Sequence, residues 1–248
     1  MKISIITVAY NSGKTIEDTI KSVINQNYQG IEYIIIDGGS TDNTLEIVEQ
    51  YKSSIALVVS EKDKGIYDAM NKGVAVATGD IIGILNSDDF YVDTDVIGKV
   101  VHTFTPEIDG VYGDLVYVDP IDTNKVTRTW LSGEYNQGAF FKGWMPPHPT
   151  FFVRREVYQK YGAYSLALKS AADYEFMLRV VHKNRIRLVY LNEIIVRMRA
   201  GGASNASLKN RLKANQEDRL AWKMNELKPK MFTLIRKPLS KIFQFLNK

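Results

Sequence analysis

The stretch Asp80-Ile81-Ile82-Gly83-Ile84-Leu85-Asn86-Ser87-Asp88-Asp89-Phe90 decides how this chain folds. Its apolar run reads as a buried strand, and two adjacent carboxylates follow at once. In open α/β sheets, ligands bind in the crevice outside the carboxyl ends of the strands, which is where Asp88 and Asp89 are expected. Side by side, they repel unless a cation or a strong hydrogen-bond donor sits between them. A hard divalent ion with phosphate oxygens as its other ligands meets that need. The bland alternative is a helix-capping Asp beside a solvated turn Asp. The rest of the sequence decides between the two.

Upstream, strand and helix signals alternate. Residues 3–9 are a β-rich run, and Ile16, Ile20, Val23 and Ile24 then recur at helical spacing. Residues 31–36 read as a second strand that ends at Asp37-Gly38-Gly39-Ser40, and Asp42 is a candidate N-cap for a helix to Tyr51. A third strand covers 55–59, a helix follows from about Ile66 to Ala77, and a fourth strand ends at Asp88. This alternation implies an α/β fold with a mainly parallel sheet and helices on both faces. Right-handed crossovers then bring Tyr10-Asn11, Asp37 and Asp88-Asp89 to one edge. Downstream, 110–118 and 126–130 read as a hairpin, and 132–149 as a loop rich in Gly, Pro and aromatics. A short strand over 150–153, a helix over 173–183 and another over 208–227 complete the pattern.

Composition narrows the function. The chain has 248 residues, 45% hydrophobic and 24% charged, enough for one large α/β domain with a C-terminal appendage. The absence of cysteine excludes disulfides, thiolate metal sites and cysteine nucleophiles. No cleavable signal pattern precedes the first strand, and no apolar stretch is long enough to span a bilayer. A cytoplasmic or peripheral protein is expected. Residues 1–100 carry 8 basic and 15 acidic groups, whereas residues 207–248 carry 11 and 3, a net +8. A basic tail on a near-neutral body suggests an anionic surface as partner.

Several long motifs, in order, carry a resemblance. They are TVAYNSGKTIEDTIKSVINQ at 7–26, IIIDGGSTDNT at 34–44, DKGIYDAMNKGVAVATGD at 63–80, LNSDD at 85–89, HPTFFVRREVYQKYGAY at 148–164 and AADYEFMLR at 171–179. Over roughly residues 1–200 the chain resembles family 2 glycosyltransferases, nearest to bacterial enzymes that assemble capsule, O-antigen or colanic acid. The resemblance implies a GT-A (Rossmann-like) domain over 1–205, with a nucleotide-sugar half at 1–100 and an acceptor half at 101–205. A basic helical extension at 206–248 follows. It also implies inverting transfer of a sugar from a nucleotide-diphosphate donor, most often a UDP-sugar, with Mg²⁺ or Mn²⁺ as cofactor. The acceptor it implies is a saccharide, in such enzymes often carried on a polyprenyl diphosphate lipid.

The same resemblance assigns roles. Main-chain groups around Thr7, Ala9 and Tyr10 are expected at the nucleobase, and Asp37 could accept from the imide of uracil or from guanine. Asp37 is otherwise a turn former before two glycines. Asp63, Lys64 and Asp68 fall in the stretch that lines the donor site, Lys64 as a phosphate contact or a solvated loop lysine. Ser87 and Asp88 belong to the nucleotide site, and Asp88 and Asp89 to the metal. Asn86 stands where the family's DXD motif has its first acid, which supplies less charge. Asp173 matches the catalytic base and also fits an N-cap. Glu175 is the fallback base. His148 matches a motif near the acceptor, although a lone His is often structural. Arg199, with Arg197 and the loop 201–204, resembles a flexible segment that closes over the donor.

The tail has two readings. Phe232, Ile235, Leu239, Ile242, Phe245 and Leu246 recur every three or four residues among lysines and arginines. Such amphipathic helices lie on an anionic bilayer, here the cytoplasmic face of the inner membrane, or pack in an interface, which leaves a homodimer open. Helical spacing of the tail's aromatics argues against base stacking, so nucleic acid is not an expected partner. No GxGxxG follows the first strand, which disfavours a dinucleotide-dependent dehydrogenase. A metal-dependent nucleotidyltransferase and a catalytically dead sugar-nucleotide-binding protein remain alternatives.

Overall fold

The computed structural model describes residues 1–201, 208–230 and 233. Its first part is a run of parallel units: β1 (Ile3–Ala9), α1 (Ile16–Ile24), β2 (Ile31–Asp37), α2 (Thr44–Gln50), β3 (Leu57–Ser60), α3 (Ile66–Val76) and β4 (Ile81–Ile84). β1 pairs in parallel with β2 and β4, and β2 with β3. The chain continues through β5 (Asp89–Tyr91), α4 (Val96–Thr103), β6 (Gly110–Val118), β7 (Val126–Trp130), β8 (Phe151–Arg154), α5 (Arg155–Tyr161), α6 (Ala172–Met177), β9 (Leu188–Arg199) and α7 (Leu208–Met224). All strands join one sheet in the order β3-β2-β1-β4-β8-β6-β9-β5, with β7 paired to β6. β8 is antiparallel to both β4 and β6, and β5 is antiparallel to β9. The sheet is therefore parallel through β4 and mixed beyond it.

All seven residues of β1 are buried, as a central strand covered on both faces requires. Alternate side chains feed two separate cores. Ile6 and Val8 pack with Tyr67 and Met70 of α3, Val157 of α5, Phe176 of α6 and Trp222 of α7. Ile3, Ile5 and Ala9 pack with Ile16, Ile20 and Val23 of α1, Val48 of α2 and Val100 of α4. This period-two split produces a sheet with helices on both faces. Residues 202–207 fall outside the description, but beyond them α7 sinks Ala221 and Trp222 into the first core, and Trp222 Nε1 donates to Tyr174 at 2.9 Å. The stripe from Phe232 to Leu246 lies outside the described residues. Among the described residues no helix is long and apolar enough to cross a membrane.

Several sequence expectations are corrected in detail. The fourth strand stops at Ile84, not at Asp88. Leu85 and Ser87 still donate to the Ile6 and Val8 carbonyls of β1, and the chain then turns so that Asp89 begins β5 against β9. Asp42 does not cap α2. It closes the turn before it, taking the Gly13 N–H at 2.9 Å and the Thr44 N–H at 3.1 Å, and the helix starts at Thr44. Asp173 does not cap α6 either: Ala171 holds that position, and Asp173 lies in the first turn. Arg197 and Arg199 lie in β9, a twelve-residue strand, rather than in a closing loop. Helices α4 and α5 and strand β9 are additions that the sequence pattern did not mark.

Candidate functional site

At the carboxyl edge of β1, β2 and β4, hydroxyls and short polar side chains lace three loops together. Asn11, at φ 51°, accepts the Thr41 N–H at 2.9 Å, and its own N–H donates to Ser40 Oγ at 2.8 Å. The Ser12 N–H donates to Thr44 Oγ1, and Ser12 Oγ meets Ser87 Oγ at 2.7 Å. Ser87 is buried in that link. Tyr10 stands out from this edge with 64% of its surface exposed. Thr7 faces the core, where its hydroxyl accepts from Tyr33, and the Ala9 carbonyl accepts the Gly38 N–H. Of the three residues expected at the nucleobase, Tyr10 is the one offered to a ligand.

Asp37 is fully buried and saturated. One oxygen accepts from the Gly39 and Ser40 N–H groups at 3.0 Å and from Ser60 Oγ at 2.7 Å; the other accepts from Ser40 Oγ at 2.5 Å. It builds the turn, which corrects the expectation that it reads the base. Asp63 supplies a better candidate. Its Oδ1 takes the Gly65 N–H, and a Cβ added at Gly38 would lie 2.3 Å from its Oδ2 and 3.5 Å from the Tyr10 ring. Only glycine at position 38 lets that carboxylate lie over the end of β2 beside Tyr10. Lys64 is exposed and contributes its backbone N–H to Asp68, whose carboxylate also lies 3.9 Å from Lys72. Asp68 thus braces the start of α3.

Beyond β4, Asp89 is fully buried and Asp88 half-buried. Burial pushes both carboxyls up from the ordinary range, Asp89 furthest because it is the more deeply buried and Asp88 adds its charge, with the Arg199 guanidinium opposing. Arg199, only 6% exposed, donates to the Asp88 carbonyl at 2.7 Å, pairs with Asp18 of α1 and lies over the Phe90 ring. Two buried oxygens, Asn86 Oδ1 and Asp89 Oδ1, have no hydrogen-bond partner. Such orphans are rare and call for a proton, water or ion to satisfy them. No three His, Asp or Glu side chains among the described residues converge as a ready-made metal cage.

The second half of the site gathers around Asp173. Its Oδ1 accepts from the Tyr67 hydroxyl of α3 at 3.0 Å. Tyr67 stacks on Tyr164, whose hydroxyl meets His148 Nε2 at 3.0 Å and Tyr158 at 3.1 Å. Burial lowers the His148 pKa, against the pull of the Asp173 charge, which places the imidazole in the same electrostatic neighbourhood. Glu175 is engaged elsewhere. It is 3% exposed, forms a two-pronged pair with Arg179 at 3.0 Å for each prong, and accepts from Asn225 just beyond α7. Both its oxygens are taken, so it is a structural staple rather than a spare base.

These two clusters have a family. The description "Glycosyl transferase family 2" matches residues 4–162. The chain belongs to that family. It is 35% identical over 188 residues to an uncharacterised glycosyltransferase of Mycobacterium tuberculosis, covering 71% of this chain and 68% of that one. Over 99 residues it is 38% identical to WfaP of Escherichia coli, a UDP-Glc:alpha-D-GlcNAc-diphosphoundecaprenol beta-1,3-glucosyltransferase, covering 40% and 39% of the two chains. Among solved structures it is similar to S. aureus TarS in complex with UDP-GlcNAc, with TM-score 0.71, 20% identity and coverage of 99% and 73%. It is also similar to the Pyrobaculum calidifontis mannosyltransferase PcManGT in complex with GDP-Man and Mn²⁺, with TM-score 0.68, 19% identity and coverage of 95% and 68%. The fold is that of GT-A glycosyltransferases.

For this glycosyltransferase, three residues escaped the assignment of roles from sequence. Asp18 reads as an ordinary acid in the first turn of a helix, yet it meets Arg199 181 positions away. Asp63 was placed with Lys64 and Asp68 in the stretch that lines the donor site but given no role of its own; the signal was the glycine at 38, which leaves room over the strand end. Tyr67 looks like a core aromatic on the apolar face of α3, and only its hydroxyl betrays a second use.

Proposed function

We propose that this family 2 enzyme transfers a sugar from a UDP-sugar to a saccharide acceptor, itself lipid-linked, with inversion at the anomeric carbon. The observation that carries the reading is the pair of orphaned oxygens flanking Asp88 at the carboxyl edge of the parallel sheet. That edge is where nucleotides bind in open α/β sheets. Asp88, Asn86 and Asp89 would hold Mg²⁺ or Mn²⁺, with phosphate oxygens of the donor completing the shell, which suits a set too poor to bind the ion alone. Bound there, the ion supplies charge compensation for the departing diphosphate. The presence of Mn²⁺ in the PcManGT complex supports this assignment.

The remaining steps belong to side chains. Tyr10 gives a face for the base to lie on, and Asp63 Oδ2 accepts the imide N–H of uracil. Asp173, with Oδ1 engaged by Tyr67, takes the acceptor's hydroxyl proton on Oδ2. The acceptor oxygen bonds to the anomeric carbon as its bond to the diphosphate oxygen breaks, and the nucleoside diphosphate leaves on the opposite face. UDP as the nucleotide and a lipid-linked acceptor are supported by the names of TarS in its complex and of WfaP. A peripheral place on the cytoplasmic face of the inner membrane suits such an acceptor and the tail's net +8.

Calorimetric titration with UDP, GDP and dTDP, each with Mn²⁺ and with EDTA, tests the donor site. UDP should bind with the metal, and Asp88→Ala should abolish that dependence and lower turnover about a hundred- to a thousandfold. Binding indifferent to both EDTA and the substitution would remove the ion from this mechanism.

A further inference from the structure

The hydroxyl of Tyr67 is wired in one direction. A carboxylate oxygen accepts and does not donate, so the single phenolic hydrogen goes to Asp173 Oδ1 at 3.0 Å. Burial, reinforced by the Asp173 charge, pushes the phenol far above its ordinary range, so it keeps that proton. No described side chain or backbone group donates to Asp173 Oδ2. The ring itself is fixed, being 8% exposed and stacked on Tyr164 at 5.8 Å between centroids. Tyr164 is fixed in turn by Asn71, one helical turn beyond Tyr67 on α3. The Asn71 amide donates to the Tyr164 carbonyl and accepts the Tyr164 N–H, both at 2.8 Å.

We infer that Tyr67 is a positioning residue for the Asp173 carboxylate, holding Oδ1 so that Oδ2 faces the acceptor hydroxyl, and that it does so from a helix of the nucleotide half. The inference rests on Asp173 being the base and adds what orients it. Two contacts on one face of α3, Tyr67 to Asp173 and Asn71 to Tyr164, tie that helix to the acceptor half. Asp173 lies in the first turn of α6, and among the described residues the Tyr67 hydroxyl is the side chain that donates to its carboxylate. A misplacement of an ångström at a reacting group costs on the order of a hundredfold in rate.

The experiment compares wild type, Tyr67→Phe, Asp173→Asn and the double variant. The probe is release of nucleoside diphosphate from UDP-glucose, UDP-GlcNAc and GDP-mannose, with water as the acceptor. Tyr67→Phe keeps the ring, its burial and its stack, and should leave Tm and donor KM unchanged while kcat falls roughly ten- to a hundredfold. In the Asp173→Asn background the same change should have no further effect, the non-additivity expected of one unit. An unchanged kcat in Tyr67→Phe, or an equal loss in both backgrounds, overturns the positioning role while leaving Asp173 as base. Wild-type turnover by Asp173→Asn instead overturns the base assignment, and the inference with it.

Discussion

The nucleotide edge and the surroundings of Asp173 hold their polar groups by different means. At the ends of β1, β2 and β4, serine, threonine and asparagine side chains bond to the backbone and hydroxyls of neighbouring loops, and Asp37 alone accepts four hydrogen bonds. Around Asp173 the holders are rings: Tyr67, Tyr158, Tyr164 and His148, packed on Phe176. The first arrangement fixes loops whose positions the parallel sheet already dictates. The second fixes side chains at the start of a helix and on an irregular loop, where the backbone dictates less. Rigid polar lacing suits a diphosphate and a base of constant shape; an aromatic wall suits a sugar acceptor, whose shape differs among enzymes of one fold.

The largest effect expected from this comparison is on stability, in the region around Asp173. Buried Glu175 and partly buried Arg179 form a two-pronged pair, and Arg179 also donates to the carbonyls of Tyr161, Gly162 and Ala163. Glu175→Gln weakens both prongs to the partly buried guanidinium and should cost about 2–3 kcal/mol in a urea melt. Nucleotide affinity at the opposite region should not change at temperatures where the variant is folded. A matching loss of UDP affinity would break the separation between the two regions.

A smaller effect is expected at the nucleotide edge. Asp63→Asn keeps an acceptor for the Gly65 N–H but removes the charged oxygen beside Gly38 and Tyr10. UDP affinity should fall about tenfold with no change in Tm, in keeping with one charge-assisted hydrogen bond. Equal affinity in wild type and variant would return the base-reading role to another group. Asp37→Asn should instead lower Tm, because its partners belong to the fold.

The two regions also differ in how far they could be read from sequence. Strand-helix alternation over residues 3–88 gave the parallel order, and with it the convergence of Tyr10, Asp37 and Asp88, since chain direction leaves no other edge for them. What it could not give was saturation: whether Asp37 or Asp63 keeps a free oxygen depends on turn geometry and on the missing Cβ of Gly38. In the other half, β9 runs LVYLNEIIVRMR, half exposed and without clean alternation, because it pairs with β6 on one side and the three-residue β5 on the other. Its arginines therefore looked like loop residues. The helix expected over 173–183 is there, helical from Ala172 through Lys183, but the role of Asp173 was legible through resemblance alone, for a ring of tyrosines from three segments leaves no periodic signature.

The smallest effect sharpens the comparison by setting Glu32 against Glu175. Glu32, on β2 at the far end from the nucleotide edge, is buried, but its cation is not: Lys2 is about half exposed. Burial raises the Glu32 pKa, and hydrogen bonds from Lys2, Ser4 and Thr78 more than offset it, leaving the carboxyl lowered from 4.5 to about 2. Because the folded value is the lower one, the carboxylate stabilises the fold above about pH 4.5, and that contribution is lost as pH falls towards 2. Allowing for solvent around Lys2, it is worth about 1–2 kcal/mol at neutral pH. Glu32→Gln should lower stability by that amount at pH 7, and the gap to wild type should close on acidification through that window in urea melts. A gap that stays constant down to pH 2.5 would mean that Glu32 acts through packing and neutral hydrogen bonds. Its role would then match that of the hydroxyls around it, and the contrast with the charge-dependent Glu175 pair would be complete.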